Sequence, residues 1–279
     1  MGDTLHGRSE DGRKSELVTA LARGLSVIEA FSADTPELTL SEVAQRTRLP
    51  PATARRALLT LQHLGYVGSY GKRFLLLPRV LGLGSAFLSS MNIREIAQSS
   101  LQAIADRFKD SASLAVLDGD SVLYVAHAPS NRRIRYNGSV GFRSPAYATS
   151  LGLALWAHLD PPQLEKRLAK APYAAYTSRT RHTRAALEEA IASVRDRGYA
   201  VAREQLEYGV VAIAVPVRDT NGRVVAAINL SSELARNDEA ALVATRLGPI
   251  TDTAQEIERA LERFPALSHA IGTAALAHD

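Results

Sequence analysis

Cysteine is absent from the 279 residues, which excludes disulfides, thiolate metal sites and a cysteine nucleophile. No apolar run approaches the roughly 20 residues a helix needs to span a bilayer. The first twenty residues, MGDTLHGRSEDGRKSELVTA, are polar and lack the apolar centre of a signal peptide. A cytoplasmic protein with no membrane partner is therefore expected. Internal repeats are missing. The seven histidines are scattered, with no His-Glu-x-x-His pattern or ligand cluster, so neither a metal site nor a cofactor is called for.

What is present suits a chain that buries a sizeable core: 46% apolar residues, 22% charged residues and a net charge of +4. The length suggests two domains. The charge is unevenly spread. Between Thr39 and Arg79 lie seven basic residues (Arg46, Arg48, Arg55, Arg56, Lys72, Arg73, Arg79) against one acid, Glu42. Such a local excess favours a polyanionic partner, and the alternative is a solvated surface stretch.

Residues 1–16 read as a disordered tail. Leu21, Leu25, Ile28 and Phe31 then recur at helical spacing. Thr39-Leu-Ser-Glu42 fits a capping box that starts a helix running to about Thr47. After the turn Arg48-Leu49-Pro50, Pro51 suits a first helical position, and a second helix reaches Leu64 with Ala54, Ala57, Leu58 and Leu61 inward. Two short strands around Tyr70-Gly71-Lys72-Arg73 form a hairpin with a basic tip. Together these make a winged helix-turn-helix over residues 17–78. Its second helix enters a major groove of promoter DNA, with Arg48, Thr53, Arg55, Arg56 and Thr60 as candidate contacts, while Lys72 and Arg73 reach the backbone or the minor groove. A small helical domain with solvated arginines is the alternative. A helix over residues 79–90 offers an apolar face for pairing with a second copy, or for packing on its own domain.

From residue 91 to 264, helices alternate with strands. Helices are expected at Ile93–Phe108, Ser150–His158, Arg184–Arg197 and Asp238–Phe264. Strands are expected at Ser113–Leu117, Val122–His127, Arg132–Gly138, Tyr199–Arg203, Val210–Arg218 and Arg223–Leu230. Hairpin turns beside helices imply an α+β domain with a largely antiparallel sheet. Residues 265–279 read as a tail.

Several segments resemble the IclR family of regulators: ALARGLSVIEAF at 20–31, LLPRVLGLGSAFLSS at 76–90, PAYATSLG at 145–152, IAVPVRD at 213–219 and GRVVAAINLS at 222–231. The likeness runs from about residue 17 to 264 in the family's order and spacing. It is strongest to the branch controlling aromatic-acid breakdown through the β-ketoadipate pathway, the protocatechuate and 4-hydroxybenzoate regulators. The resemblance implies a GAF-like effector-binding domain, a homodimer or a dimer of dimers, and no catalysis.

Residues 145–158 offer a helix N-terminus with free N–H groups, a setting that suits a carboxylate. The resemblance puts a small organic acid on Ser150, Leu151 and Gly152 and adds Ala202, Ala212, Asn229 and Ser231 as pocket-lining positions. Asn229 and Ser231 alternate on one strand, so both can face one pocket. Glyoxylate-sensing relatives have an acid and a cysteine where this chain has Ala202 and Ala212. The acidic pair common in the family here reads Ala202-Arg203. Smaller, apolar walls point to an aromatic acid rather than a two-carbon one. Arg133, Arg135 and Arg143 are candidate carboxylate partners, or else exposed charges. Another carboxylate or sugar-acid effector is the alternative to an aromatic one.

Ala148-Thr-Ser150-Leu-Gly152 also matches an A-x-S-x-G nucleophile elbow, but His127, His158 and His182 have no triad context, and Arg143-Ser144-Pro145 makes a poor strand to feed one. A sensor that docks a protein through its helix-turn-helix is a third reading. The expected mechanism is a dimer placing two helices in successive major grooves, with effector binding transmitted through the 79–90 helix. Activation and repression are both compatible with it.

Overall fold

The computed structural model describes residues 18–32, 34–90, 94–130 and 139–264. The chain divides into two compact units, Met1–Phe87 and Leu88–Asp279.

In the first unit, helices α1 (Thr19–Glu29), α2 (Leu40–Thr47) and α3 (Pro51–His63) pack with strands β1 (Glu37–Thr39), β2 (Val67–Tyr70) and β3 (Arg73–Leu76). The strands form an antiparallel sheet in the order β1-β3-β2. Val27, Leu38, Val43, Ala54, Leu58, Leu61 and Val67 make the core. The capping box forms: the Glu42 N–H donates to Thr39 Oγ1 at 3.3 Å, and Glu42 Oε2 accepts the Thr39 N–H at 2.7 Å. Arg48 ends α2 in the left-handed region at φ +54°, and Pro51 opens α3. Gly71 has φ +60° at the hairpin tip, a backbone that the first central position of a II′-type turn requires. Strand β1, not expected from the sequence, widens the wing to three strands. It is three residues long with one buried side chain, too little for an alternation signal. A 3-10 turn at Pro78–Val80 leads into α4 (Leu81–Ser90), and the division between the units falls inside this helix.

The second unit opens with a π turn, Arg94–Gln98, followed by α5 (Ser99–Phe108). Strands β4 (Ser111–Asp118), β5 (Ser121–Ala128), β6 (Arg143–Pro145), β7 (Ala200–Arg203), β8 (Val210–Arg218) and β9 (Val224–Glu233) form an antiparallel sheet in the order β6-β5-β4-β9-β8-β7. Helices α6 (Ser150–Trp156), α7 (Pro161–Leu168), α8 (Arg184–Arg197) and α9 (Glu239–Leu261) complete the α+β fold. Arg143–Pro145 is thus a short edge strand, a correction to the sequence reading. Helix α7 is likewise absent from that reading, although Asp160 followed by two prolines is a helix-start signal. The strand expected at Arg132–Gly138 and the two tails lie outside the described residues.

The two faces of the sheet differ in bulk. Val211, Ile213, Val215, Ile228 and Leu230 pack with α5 and α9 in one core layer. Ala115, Ala200, Ala214 and Ala227 face the other layer, with α6 and α8. Asp110, fully buried, ties the first layer together. It accepts from Arg236 Nη1 at 3.2 Å and Arg246 Nε at 3.1 Å. Arg236 also donates to the carbonyls of Phe108 and Lys109. Removing one member of such a cluster strands the others' charge away from water. Asp110→Ala is expected to cost about 3–5 kcal/mol of stability in urea denaturation, and an unchanged midpoint would contradict this account.

Candidate functional site

The basic residues between Thr39 and Arg79 fall into two groups. Three are engaged within the unit. Arg46 Nη1 donates to Ala30 O at 3.2 Å, and Arg79 Nη1 donates to Leu64 O at 2.7 Å with its guanidinium over the Tyr66 ring. Arg73 lies 3.8 Å from Glu42. In contrast, Arg48, Arg55, Arg56 and Lys72 are exposed, and their side chains hold no hydrogen bond or ion pair among the described residues.

Helix α3 hides Ala54, Leu58 and Leu61 and turns Arg55, Arg56, Leu59 and Thr60 outward. The outward arc is not uniform. Thr53, Arg56 and Thr60 border a groove against α1, together with Leu21, Gly24 and Leu25. Thr53 is half-buried there, and the Thr60 hydroxyl donates to Arg56 O at 2.9 Å. Arg55 and Leu59 do not border that groove. Leu59, absent from the sequence candidates, stands 49% exposed on the outer arc, and Tyr70 at the hairpin tip is 83% exposed.

In the second unit, one cavity of about 70 Å³ opens on the small-residue side of the sheet. Ser150, Ala202, Ala212, Asn229 and Ser231 all line it, joined by Tyr124, Thr149, Gln205, Leu206, Glu207 and Val210. The register explains the gathering: Ala212 pairs with both Ala202 and Ser231, so neighbouring strands present these side chains on one face. Two buried polar atoms of the lining lack a partner among the described residues, Ser150 Oγ and Asn229 Oδ1, and Glu207 Oε2 is a third. Asn229 Nδ2 donates to Ser231 Oγ at 3.1 Å. Because a hydroxyl both donates and accepts, turning the amide over keeps that contact and offers a ligand an N–H instead.

Other sequence candidates stand elsewhere. Leu151 is fully buried in the core layer of α6. The Gly152 N–H is already taken, donating to Thr149 Oγ1 at 2.9 Å. Arg143 does not line the cavity: its Nε donates to Asp118 Oδ2 at 2.7 Å on the edge strand. Arg133 and Arg135 lie outside the described residues. The sequence reading missed Tyr124, Ala148, Thr149 and Val210 among the lining residues, and also Gln205, Leu206 and Glu207, which sit on the loop after β7, where no periodicity marks them.

Residues 20–69 match the IclR helix-turn-helix domain, and residues 85–259 match the C-terminal domain of the bacterial transcriptional regulator IclR. The chain belongs to the IclR family. The Pca regulon regulatory protein of Pseudomonas putida is 43% identical over 222 residues, 79% of this chain and 76% of the relative. The p-hydroxybenzoate hydroxylase transcriptional activator of Acinetobacter baylyi is 35% identical over 257 residues, 89% of this chain and 94% of the relative. A crystal structure of an IclR homolog from Microbacterium hydrocarbonoxydans complexed with 4-hydroxybenzoate superposes with a TM-score of 0.72, at 27% identity, over 88% of this chain and 99% of that one.

As an IclR-family protein the chain is a DNA-binding transcriptional regulator and not an enzyme. The elbow-like Ser150 therefore has a different explanation. No histidine lines its cavity among the described residues, and Gly152 answers to packing. A Cβ at Gly152 would stand 2.1 Å from Ala146 O, on the 3-10 turn (Ala146–Ala148) that precedes the helix. Only glycine allows this approach, which sets Ser150 at the cavity wall. Overpacking at rigid backbone is costly. Gly152→Ala is expected to destabilise the protein by about 2–3 kcal/mol, measured as a lowered melting transition; a wild-type transition would contradict the close approach.

Proposed function

We propose that this regulator controls genes of aromatic-acid breakdown, with a small organic acid in the cavity between β7–β9 and α6 setting its hold on promoter DNA. The acid belongs to the group that includes 4-hydroxybenzoate, protocatechuate and β-ketoadipate. One observation carries the reading. Ser150 Oγ and Asn229 Oδ1, each buried and unpartnered, meet in a cavity whose facing walls are the small side chains of Ala202 and Ala212. A buried polar atom without a partner costs about 1–3 kcal/mol, so two at one cavity wall point to a polar guest. The names of the Pseudomonas and Acinetobacter relatives and the 4-hydroxybenzoate complex of the Microbacterium homolog support the same class. A ring needs more room than the resting cavity gives: a space of about 150 Å³ takes benzene. Leu206 and Val210, half-buried in the lining, are the apolar side chains that can give way.

The DNA contacts fall to Arg55 and Arg56 on α3 and to Lys72 at the wing, with Arg48 at the turn. The active form is a homodimer or a dimer of dimers, and ligand occupancy is transmitted through α4, which spans the division between the units. An arginine bound to phosphate displaces counterions, so removing one such side chain lowers the salt slope of binding by about 1. Arg55→Ala and Arg56→Ala are each expected to weaken binding to the protein's own upstream region, with a shallower salt dependence for whichever arginine meets phosphate. Operator affinity unchanged in both variants would refute the assignment.

Calorimetry with 4-hydroxybenzoate, protocatechuate, β-ketoadipate and glyoxylate tests the ligand class. Binding of at least one of the first three is expected, weakened about tenfold by Ser150→Ala because the hydroxyl no longer bonds the acid. Binding of glyoxylate alone would overturn the reading.

A further inference from the structure

Among the described residues that line the cavity, one carries a formal charge, and it is negative: Glu207. That is the wrong sign for the carboxylate end of an acid. Its Oε2 is nevertheless buried at the lining with no partner among the described residues. The loop that carries it is tied down on both sides. Gln205 donates to Arg179 O at 2.7 Å and to Arg203 O at 3.0 Å, and accepts the Arg181 N–H at 2.8 Å through Oε1. Thr177 and Thr180 donate to the carbonyls of Glu204 and Gln205, and the Gly209 N–H donates to Glu204 Oε1. Tyr208 OH accepts the Ser178 N–H at 3.0 Å. The position of Glu207 is thus imposed by its neighbours and not by bonds of its own. A carboxylate oxygen held in place without a donor is an acceptor awaiting one.

We infer that Glu207 is the specificity-determining residue of the cavity: it accepts a hydrogen bond from a ring hydroxyl of the bound acid, and it excludes acids that carry a second carboxylate. This rests on the aromatic-acid reading above and narrows it, favouring hydroxylated monocarboxylic acids over dicarboxylic ones such as β-ketoadipate. The acid's own carboxylate turns to the Ser150 hydroxyl and to the Asn229 amide with its N–H turned inward, away from Glu207. A guest lacking the hydroxyl leaves Glu207 desolvated and unpaired, and sites built around a buried acceptor reject such analogues more strongly than apolar pockets reject a missing methylene. A guest with a carboxylate at both ends sets like charges together.

The test is calorimetric titration of the full-length protein with 4-hydroxybenzoate, 3-hydroxybenzoate, protocatechuate, benzoate and terephthalate, for the wild type, Glu207→Leu and Glu207→Gln. The wild type is expected to bind at least one hydroxylated acid about tenfold to a hundredfold more tightly than benzoate, the range for one charge-assisted hydrogen bond. Terephthalate should bind more weakly than benzoate. Glu207→Leu should bring the hydroxylated acid and benzoate within about twofold of each other, largely by improving benzoate. Glu207→Gln keeps an acceptor and loses the charge, so it should retain most of the hydroxyl preference and admit terephthalate. If the leucine variant fails to fold, the terephthalate gain in the glutamine variant decides. Equal binding of benzoate and the hydroxylated acids by the wild type, an unchanged ratio in Glu207→Leu, or tight binding of terephthalate by the wild type would each overturn the role of Glu207. Failure of 4-hydroxybenzoate, protocatechuate and β-ketoadipate alike to bind the wild type would overturn the proposed function and this inference together, whereas binding of β-ketoadipate alone, or binding that is indifferent to Glu207, would overturn the inference alone.

Discussion

The ligand-binding unit depends on an asymmetry of side-chain size across one sheet. Along β8 the residues facing α5 and α9 are Val211, Ile213, Val215 and Val217, while those facing the other way include Ala212 and Ala214. β9 repeats the rule, with Ile228 and Leu230 against Ala227, Asn229 and Ser231. Period-two alternation turns this into one full face and one shallow face. The full face buries enough apolar surface to hold the sheet and its helices together. The shallow face lets α6 come close, with Gly152 against Ala146, and leaves a cavity where the helix start does not fill the gap. Larger residues at 202 and 212 would close that space, so the small side chains are where the cavity comes from.

Polar groups follow the same division. Asp110, in the full layer, is answered by two arginines, and that cluster is closed. On the shallow face, Ser150, Asn229 and Glu207 each leave a buried atom unanswered. Unsatisfied polar atoms are tolerated where stability is exchanged for function, and their convergence on one cavity, lined by small and flexible apolar groups, is what separates a binding site from a packing defect.

How far these features are legible in the sequence depends on how local their causes are. The helix-turn-helix can be read because its signals are contiguous: Thr39 with Glu42, Pro51 at a helix start, and Ala54, Leu58 and Leu61 at helical spacing. Ala202, Ala212, Asn229 and Ser231 are reachable through strand alternation and a family resemblance. Glu207 is not, because its direction is set by hydrogen bonds between its loop and residues 177–181, more than twenty positions earlier. Arg143 reads as a ligand partner since nothing nearby in the chain betrays Asp118, its partner at the end of β4. Strand β1 gives no sequence signal because it has three residues and is held mainly by pairing with β3.

Composition likewise says that the first unit is basic without saying which arginines are available. Geometry separates them. Arg79 spans from the turn after β3 to the carbonyl of Leu64 at the end of α3, and Arg46 joins α2 to the end of α1 at Ala30. Arg79 thus acts as a strut on the end of α3, and Arg46 as one between α1 and α2. Arg55, Arg56 and Lys72 project from α3 and from the wing with nothing among the described residues to neutralise them. A surface that spends some of its positive charge on holding its own helices, and leaves Arg48, Arg55, Arg56 and Lys72 uncompensated among the described residues at the turn, on the helix after it and at the hairpin tip, is organised around an outside polyanion. Beside Arg55 and Arg56 stands Leu59, an exposed apolar side chain one helical turn further on. The outer arc of α3 therefore sets two uncompensated charges beside an exposed apolar side chain, on a helix whose C-terminal end is tied to the chain after β3 through Arg79.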